Sequence, residues 1–191
     1  MEDICAVVLA GGKSSRMKRD KTLLKLTDKS LIEYQYLKLS KIFKNVYISA
    51  KNDKFNFLED KSFLIFDENE TYSPMIALNS IFKHIKENKV FIITVDMPFI
   101  ENKTVLKLLD ASNQSEIVVA KDDFNRHNLC GVFHKSISSK VQECLDNDIH
   151  KINYLINHCD YKELFFENSK EFFNINTPDD FDVALKLSEK I

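Results

Sequence analysis

The segment Ile4 to Leu9, ICAVVL, is an apolar run too short for a typical helix and rich in the branched side chains that favour strands. Runs of this kind return at Val46 to Ser49, Phe63 to Phe66, Val90 to Val95 and Ile117 to Ala120, each bounded by polar or Gly/Pro residues. Continuous rather than alternating hydrophobicity fits strands buried on both faces. Between them lie stretches with helical spacing. SLIEYQYLKLSKIF places Leu31, Tyr34, Leu37 and Ile42 near one face, and SPMIALNSIFKHI does the same with Met75, Leu78, Ile81, Phe82 and Ile85. Strand and helix alternate, which predicts an α/β fold: a three-layer, Rossmann-like α/β/α sandwich around a mostly parallel sheet, with ligands at the carboxyl ends of the strands. Further on, LCGVFH and YKELFF read as strands, with helices near Ser136 to Leu145 and Lys151 to His158. Thr177, Pro178, Asp179 and Asp180 combine an N-cap, a first-position proline and acids in the first turn, so a last helix runs to about Ser188.

A chain of 191 residues fits one domain with its own core. With 27 basic and 29 acidic residues the net charge is −2, which argues against nucleic acid as a partner. Cys5, Cys130, Cys144 and Cys159 lack C-x-x-C spacing and read as reduced thiols, not zinc ligands. The start has no basic n-region, and nowhere do about 18 uncharged apolar residues run together. The expectation is a cytoplasmic protein with no membrane contact.

The first run ends at Leu9, so Ala10, Gly11 and Gly12 fall at the carboxyl edge of the sheet. The chain has only three glycines, and two stand here. Glycine lets backbone N–H groups approach a ligand, and phosphate is the natural guest. Lys13, Arg16, Lys18, Arg19 and Lys21 follow, enough charge to surround a triphosphate, although a solvated basic loop would read the same on composition. Neither G-x-G-x-x-G nor the P-loop pattern is present.

These residues resemble a known family. LAGGKSSRM followed by DK is similar to L-A-G-G-x-x-x-R-M-G-x-D-K of the molybdenum cofactor guanylyltransferases, nucleotidyltransferases that attach GMP to a pterin cofactor. Asp67 before SPM, VDMPFI at Val95 to Ile100, NLCGVF at Asn128 to Phe133 and NINTPDDF at Asn174 to Phe181 resemble further family segments in order and spacing. Lys18, Ser73 and Ala77 depart from the pattern, standing where the family has glycines.

The resemblance implies a nucleotidyltransferase fold, with a nucleotide-binding half over about residues 1–100 and an acceptor-binding half over about 101–191. It implies GTP and molybdopterin as substrates, Mg²⁺ as cofactor, and apo-molybdoenzymes or other cofactor-biosynthesis proteins as partners. Leu9, Ala10, Gly11, Gly12 and Lys21 would bind the nucleotide, with Arg16 and Lys21 on its phosphates. Asp67 would recognise guanine, whose N1–H and amine suit a carboxylate, and Ser49 would face the base. Asp96 would hold Mg²⁺. Asn174 and Asn176, two apart in an extended segment, would face the pterin from one side, and Arg126 and Lys151 are further candidate contacts. Read alone, Asp96 fits a turn before proline equally well, Asp67 a solvated loop, and the two asparagines a pre-helix turn. The five histidines show no catalytic or metal spacing. A relative using CTP or another phosphorylated acceptor, and a non-catalytic cofactor carrier, are the competing readings.

Overall fold

In the computed structural model, residues 3–11, 17, 19–67 and 73–189 are described. Seven strands form one sheet: β1 (Ile4–Leu9), β2 (Val46–Ala50), β3 (Leu64–Phe66), β4 (Lys89–Thr94), β5 (Ile117–Lys121), β6 (Arg126–His134) and β7 (Tyr161–Phe165). Their order is β3-β2-β1-β4-β6-β5-β7, and every neighbouring pair is parallel except those made by β6, which runs antiparallel to both β4 and β5. Six helices accompany them: α1 (Leu31–Leu39), α2 (Pro74–His84), α3 (Asn102–Ala111), α4 (Ser138–Asp146), α5 (Ile152–Asn157) and α6 (Pro178–Ser188).

The sheet is buried on both sides because each apolar strand feeds two cores. Ala6 and Val8 of β1 pack on the side of α1, α3 and α6, whereas Cys5, Val7 and Leu9 pack on the side of α2, α4 and α5. Fully burying a Val, Leu or Ile side chain is worth about 1.5–3 kcal/mol, which is why unbroken apolar runs settle here and not at the surface. Ser30, Ser73 and Thr177 cap α1, α2 and α6 through their side chains. At the last of these Asp180 answers with the reciprocal bond of a capping box, as the Thr-Pro-Asp-Asp signal predicts.

Two expectations need correction. The helix expected to continue to Ile42 ends at Leu39, and its buried face is Leu31, Ile32, Gln35 and Leu39, while Leu37 stands 40% exposed. Gln35 is turned inward because its amide donates to the Met97 carbonyl at 2.6 Å. Helix α3 was not foreseen; it buries Thr104, Val105, Leu108 and Leu109, positions one helical turn apart that the sequence could have signalled.

Gly131, the third glycine, sits in β6 opposite Val119, where pairing with β5 shifts register. A Cβ at Gly131 would lie 2.2 Å from the Val118 carbonyl, so no side chain fits. No described helix is long and apolar enough to cross a membrane.

Candidate active site

From β1 the chain steps to β2 and β3 on one side, then returns past β1 to β4 on the other, so β1 and β4 are neighbours whose onward connections leave in opposite directions across the sheet. Open α/β sheets bind ligands at such a switch point, outside the carboxyl ends of the strands. Gly11 follows β1 and Asp96 follows β4 at that place. The Val95 amide donates to the Leu9 carbonyl and the Ala10 amide to the Ser49 carbonyl, binding the three strand ends into one platform.

Asp96 receives the Lys21 ammonium on Oδ2 at 2.7 Å, both side chains being 15% exposed. Its other oxygen, Oδ1, is buried and has no hydrogen-bond partner among the described residues. Lys21 is aimed by the residue before it. Asp20 caps the short turn Lys21–Leu23, accepting from the Thr22 amide and hydroxyl and pairing with Lys54. Burial works against the charge of Asp20, but Lys54 and Thr22 outweigh it and hold the carboxyl below its usual range. The turn after Asp96 is fixed from α1, where Gln35 holds the Met97 carbonyl and Lys38 donates to the Pro98 carbonyl at 3.0 Å. Gln35 and Lys38 act through their neighbours and carried no motif signal of their own; Asp20 is the first residue of the DK pair in the opening motif, which gave no role to it.

A cleft of about 190 Å³ opens beside this platform, lined among others by Leu9, Gly11, Ser49, Asp67, Ser73 and Ala77. That is below the ~300–1,000 Å³ of drug-sized sites, so it suits one ring system and not a whole triphosphate. Asp67 is the buried acid of the cleft, its side chain 5% exposed. Oδ1 accepts from the Ser49 hydroxyl at 3.1 Å and Oδ2 lies 3.6 Å from the Lys51 ammonium. A Cβ on Gly11 would come within 3.6 Å of Asp67 Oδ2, so the bare backbone at Gly11 leaves the carboxylate open from that side. Ser49 is 1% exposed and spends its hydroxyl on Asp67, so it holds the carboxylate in place.

The structure brings the acceptor candidates to the same platform. Ile175, between Asn174 and Asn176, donates its amide to the Asp96 carbonyl at 2.9 Å. Asn174 itself donates to the Phe172 carbonyl, and the Asn176 amide donates to Asp180. Arg126 is differently occupied: it donates to Asn128, Glu163, Asn153 and Asn157, and its guanidinium lies over the Tyr161 ring. Gly12, Lys13, Arg16 and Lys18 lie outside the described residues.

One cluster was invisible to sequence spacing. His150 Nδ1 lies 3.0 Å from Ser73 Oγ, and its Nε2 3.0 Å from Asp148. The Ser73 oxygen already accepts the Met75 amide as helix cap, and the Asp148 side chain is 96% exposed, so the trio ties a loop to the cleft wall and makes no nucleophile relay. A larger groove of about 1020 Å³, bordered by Tyr34, Lys38, Phe99 and Leu187, lies on the opposite helical layer. It contains neither carboxylate nor the glycine turn, so its size does not make it the site.

The family profile described as "MobA-like NTP transferase domain" matches residues 6–160. A molybdenum cofactor guanylyltransferase of Campylobacter jejuni subsp. doylei is 40% identical over 187 residues, covering 95% of both chains. The chain belongs to this family. A molybdenum cofactor guanylyltransferase of Helicobacter pylori strain G27 is 30% identical over 193 residues, covering 98% of this chain and 94% of that one. A solved protein of Aquifex aeolicus superposes with a TM-score of 0.78 at 34% identity, over 92% of this chain and 94% of that one. The molybdopterin-guanine dinucleotide biosynthesis protein A of Archaeoglobus fulgidus reaches 0.81 at 22% identity, over 98% and 100%, and has the same fold.

Proposed function

We propose that this guanylyltransferase moves GMP from GTP to the terminal phosphate of molybdopterin, releasing pyrophosphate and leaving molybdopterin guanine dinucleotide. The observation that carries the reading is the Asp96 carboxylate at the switch point, one oxygen on Lys21 and the other without a partner among the described residues. In this reading residues 1–100 bind the nucleotide and residues 101–191 the acceptor, whose pterin meets Asn174 and Asn176.

The donor set fits Mg²⁺. A bare, hard carboxylate oxygen suits the ion, and no trio of His, Cys, Asp or Glu gathers among the described residues to form a cage. Mg²⁺ is commonly bound by one or two carboxylates together with substrate phosphates, so Asp96 is the residue that would hold it. When bound, the ion supplies orientation of the phosphates and relief of their charge.

The chain's own residues account for the rest. The acceptor phosphate is ionised near pH 7, so one of its oxygens attacks the α-phosphorus of GTP without a general base. As the new P–O bond forms, the bond from the α-phosphorus to the bridging oxygen breaks, and its electron pair leaves with pyrophosphate. Lys21, fixed by Asp20 and Asp96, stands ready to meet the growing negative charge, a role we also assign to Arg16. Positioning and electrostatics carry the reaction, which is why a catalytic histidine is not required.

The test is pyrophosphate release from each of the four ribonucleoside triphosphates with Mg²⁺, with and without molybdopterin. Release from GTP alone, and only with the pterin, is expected. A preference for CTP overturns the guanine assignment, and release that ignores the pterin overturns the acceptor.

A further inference from the structure

Lys51 follows the last residue of β2 and lies two positions beyond Ser49, so both side chains leave the strand on the same side. Its ammonium, 16% exposed, stands 3.6 Å from Oδ2 of Asp67. Lys51 is not itself a lining residue of the cleft, but it sets a cationic donor immediately beside the carboxylate that is one, with its two acceptor oxygens. No family segment quoted above contains this lysine.

The four bases present different edges to such a pair. Guanine offers O6 as an acceptor, then N1–H and the 2-amino group as donors. Set N1–H and the amine on Asp67 and O6 falls on the side of the neighbouring ammonium. Adenine inverts the first two groups, placing its amine against the ammonium and bare N1 against the carboxylate. Cytosine inverts them in the same way. Uracil matches the first two but turns its second carbonyl toward the carboxylate. Guanine alone satisfies all three positions, and each mismatch buries an unpaired or repelled polar group, which is where base selectivity originates.

We infer that Lys51 is a specificity-determining residue that reads O6 of guanine beside Asp67, an inference that rests on the assignment of Asp67 to the base. In the free protein the ammonium neutralises Asp67; in the complex it turns part of its hydrogen-bonding capacity to the base while the carboxylate takes the two donors.

Equilibrium binding of three nucleotides to the full chain tests this. GTP and ITP both carry O6 and N1–H, whereas 6-thio-GTP keeps both guanine donors but replaces O6 with sulfur, a poor acceptor. Lys51→Met is expected to weaken GTP and ITP by the same factor, about tenfold, and 6-thio-GTP by less than about threefold. Lys51→Arg, which keeps a cationic donor, is expected to retain the wild-type preference for GTP over 6-thio-GTP. Equal weakening of all three nucleotides by Lys51→Met would reduce Lys51 to a counter-charge for Asp67, and unchanged affinities would remove it from the site. Should Lys51→Met not fold, loss of the preference in Lys51→Arg overturns the inference. Wild-type protein that binds ATP or CTP as well as GTP would instead sink the guanine reading itself, whatever the variants do.

Discussion

At the junction of β1 and β4, Asp96 gives one oxygen to Lys21 and finds no partner for the other among the described residues, although both are largely withdrawn from water. One strand beyond β4, Arg126 of β6 meets Asn128, Glu163, Asn153 and Asn157 and rests on Tyr161. Folding alone favours the second arrangement, since a buried polar atom left unpaired costs about 1–3 kcal/mol. A group engaged on four of its five donors is holding the fold together, and a group kept partly empty is waiting for something. The difference separates two charged residues that the sequence offered for ligand contact, Asp96 as the metal ligand and Arg126 as a further candidate.

The sharpest way to break the comparison is Asp96→Asn. GMP transfer is expected to fall about 100-fold or more, with the thermal midpoint within a few degrees of wild type; retained turnover would return Asp96 to a turn-forming role. Arg126→Ala should do the reverse. Stability is expected to drop by about 1–3 kcal/mol in urea titration, while the KM for GTP stays within about threefold. If stability holds and turnover of the pterin collapses, Arg126 belongs to the site after all.

The smallest effect concerns Lys38, whose ammonium is pushed down to about 8 by burial, against the pull of Glu171 and Glu101. A lysine depressed by folding carries its full cost below about pH 8, where folded and unfolded chains are both protonated. That cost is relieved as pH rises from there to the ordinary lysine range, because only the unfolded chain still binds the proton. The thermal midpoint of wild type relative to Lys38→Met is therefore expected to increase between pH 7.5 and pH 10. A constant difference would mean that Lys38 is solvated and does not clamp the turn after Asp96.

The first five strands were legible because strands buried on both faces leave continuous apolar runs; β6 begins three residues before LCGVFH, and β7, largely exposed, was read from YKELFF alone. The cap at Thr177 was legible for a similar reason, its chemistry being contained within four residues. Asp67, Asp96 and Lys21 could be named from motif resemblance, but not their condition. That Asp96 is half-satisfied and Asp67 nearly sealed depends on contacts across 75 and 18 residues of sequence. Lys51, the Lys54 partner of Asp20 and the His150 link to Ser73 were unreadable because each works through a partner brought in by the sheet. Leu37 misled because helical periodicity marks apolar positions without knowing that Gln35 would be turned inward for the Met97 carbonyl.

The place of β6 between β4 and β5 also sets a timetable for the nascent chain. Strands β1 to β4 are complete at Thr94, yet the neighbour that closes the outer side of β4 ends at His134, and β5, made in between, reaches the sheet only through β6. At ~5–20 residues per second that interval lasts about 2–8 s. Throughout it the apolar strand KVFIIT presents an open edge, the kind of surface that pairs with other chains. The strand that delivers Asp96 thus waits uncovered until β6 arrives, as β5 later waits for β7, and synthesis of this protein passes through a window in which the platform proposed to bind the nucleotide presents an open apolar edge.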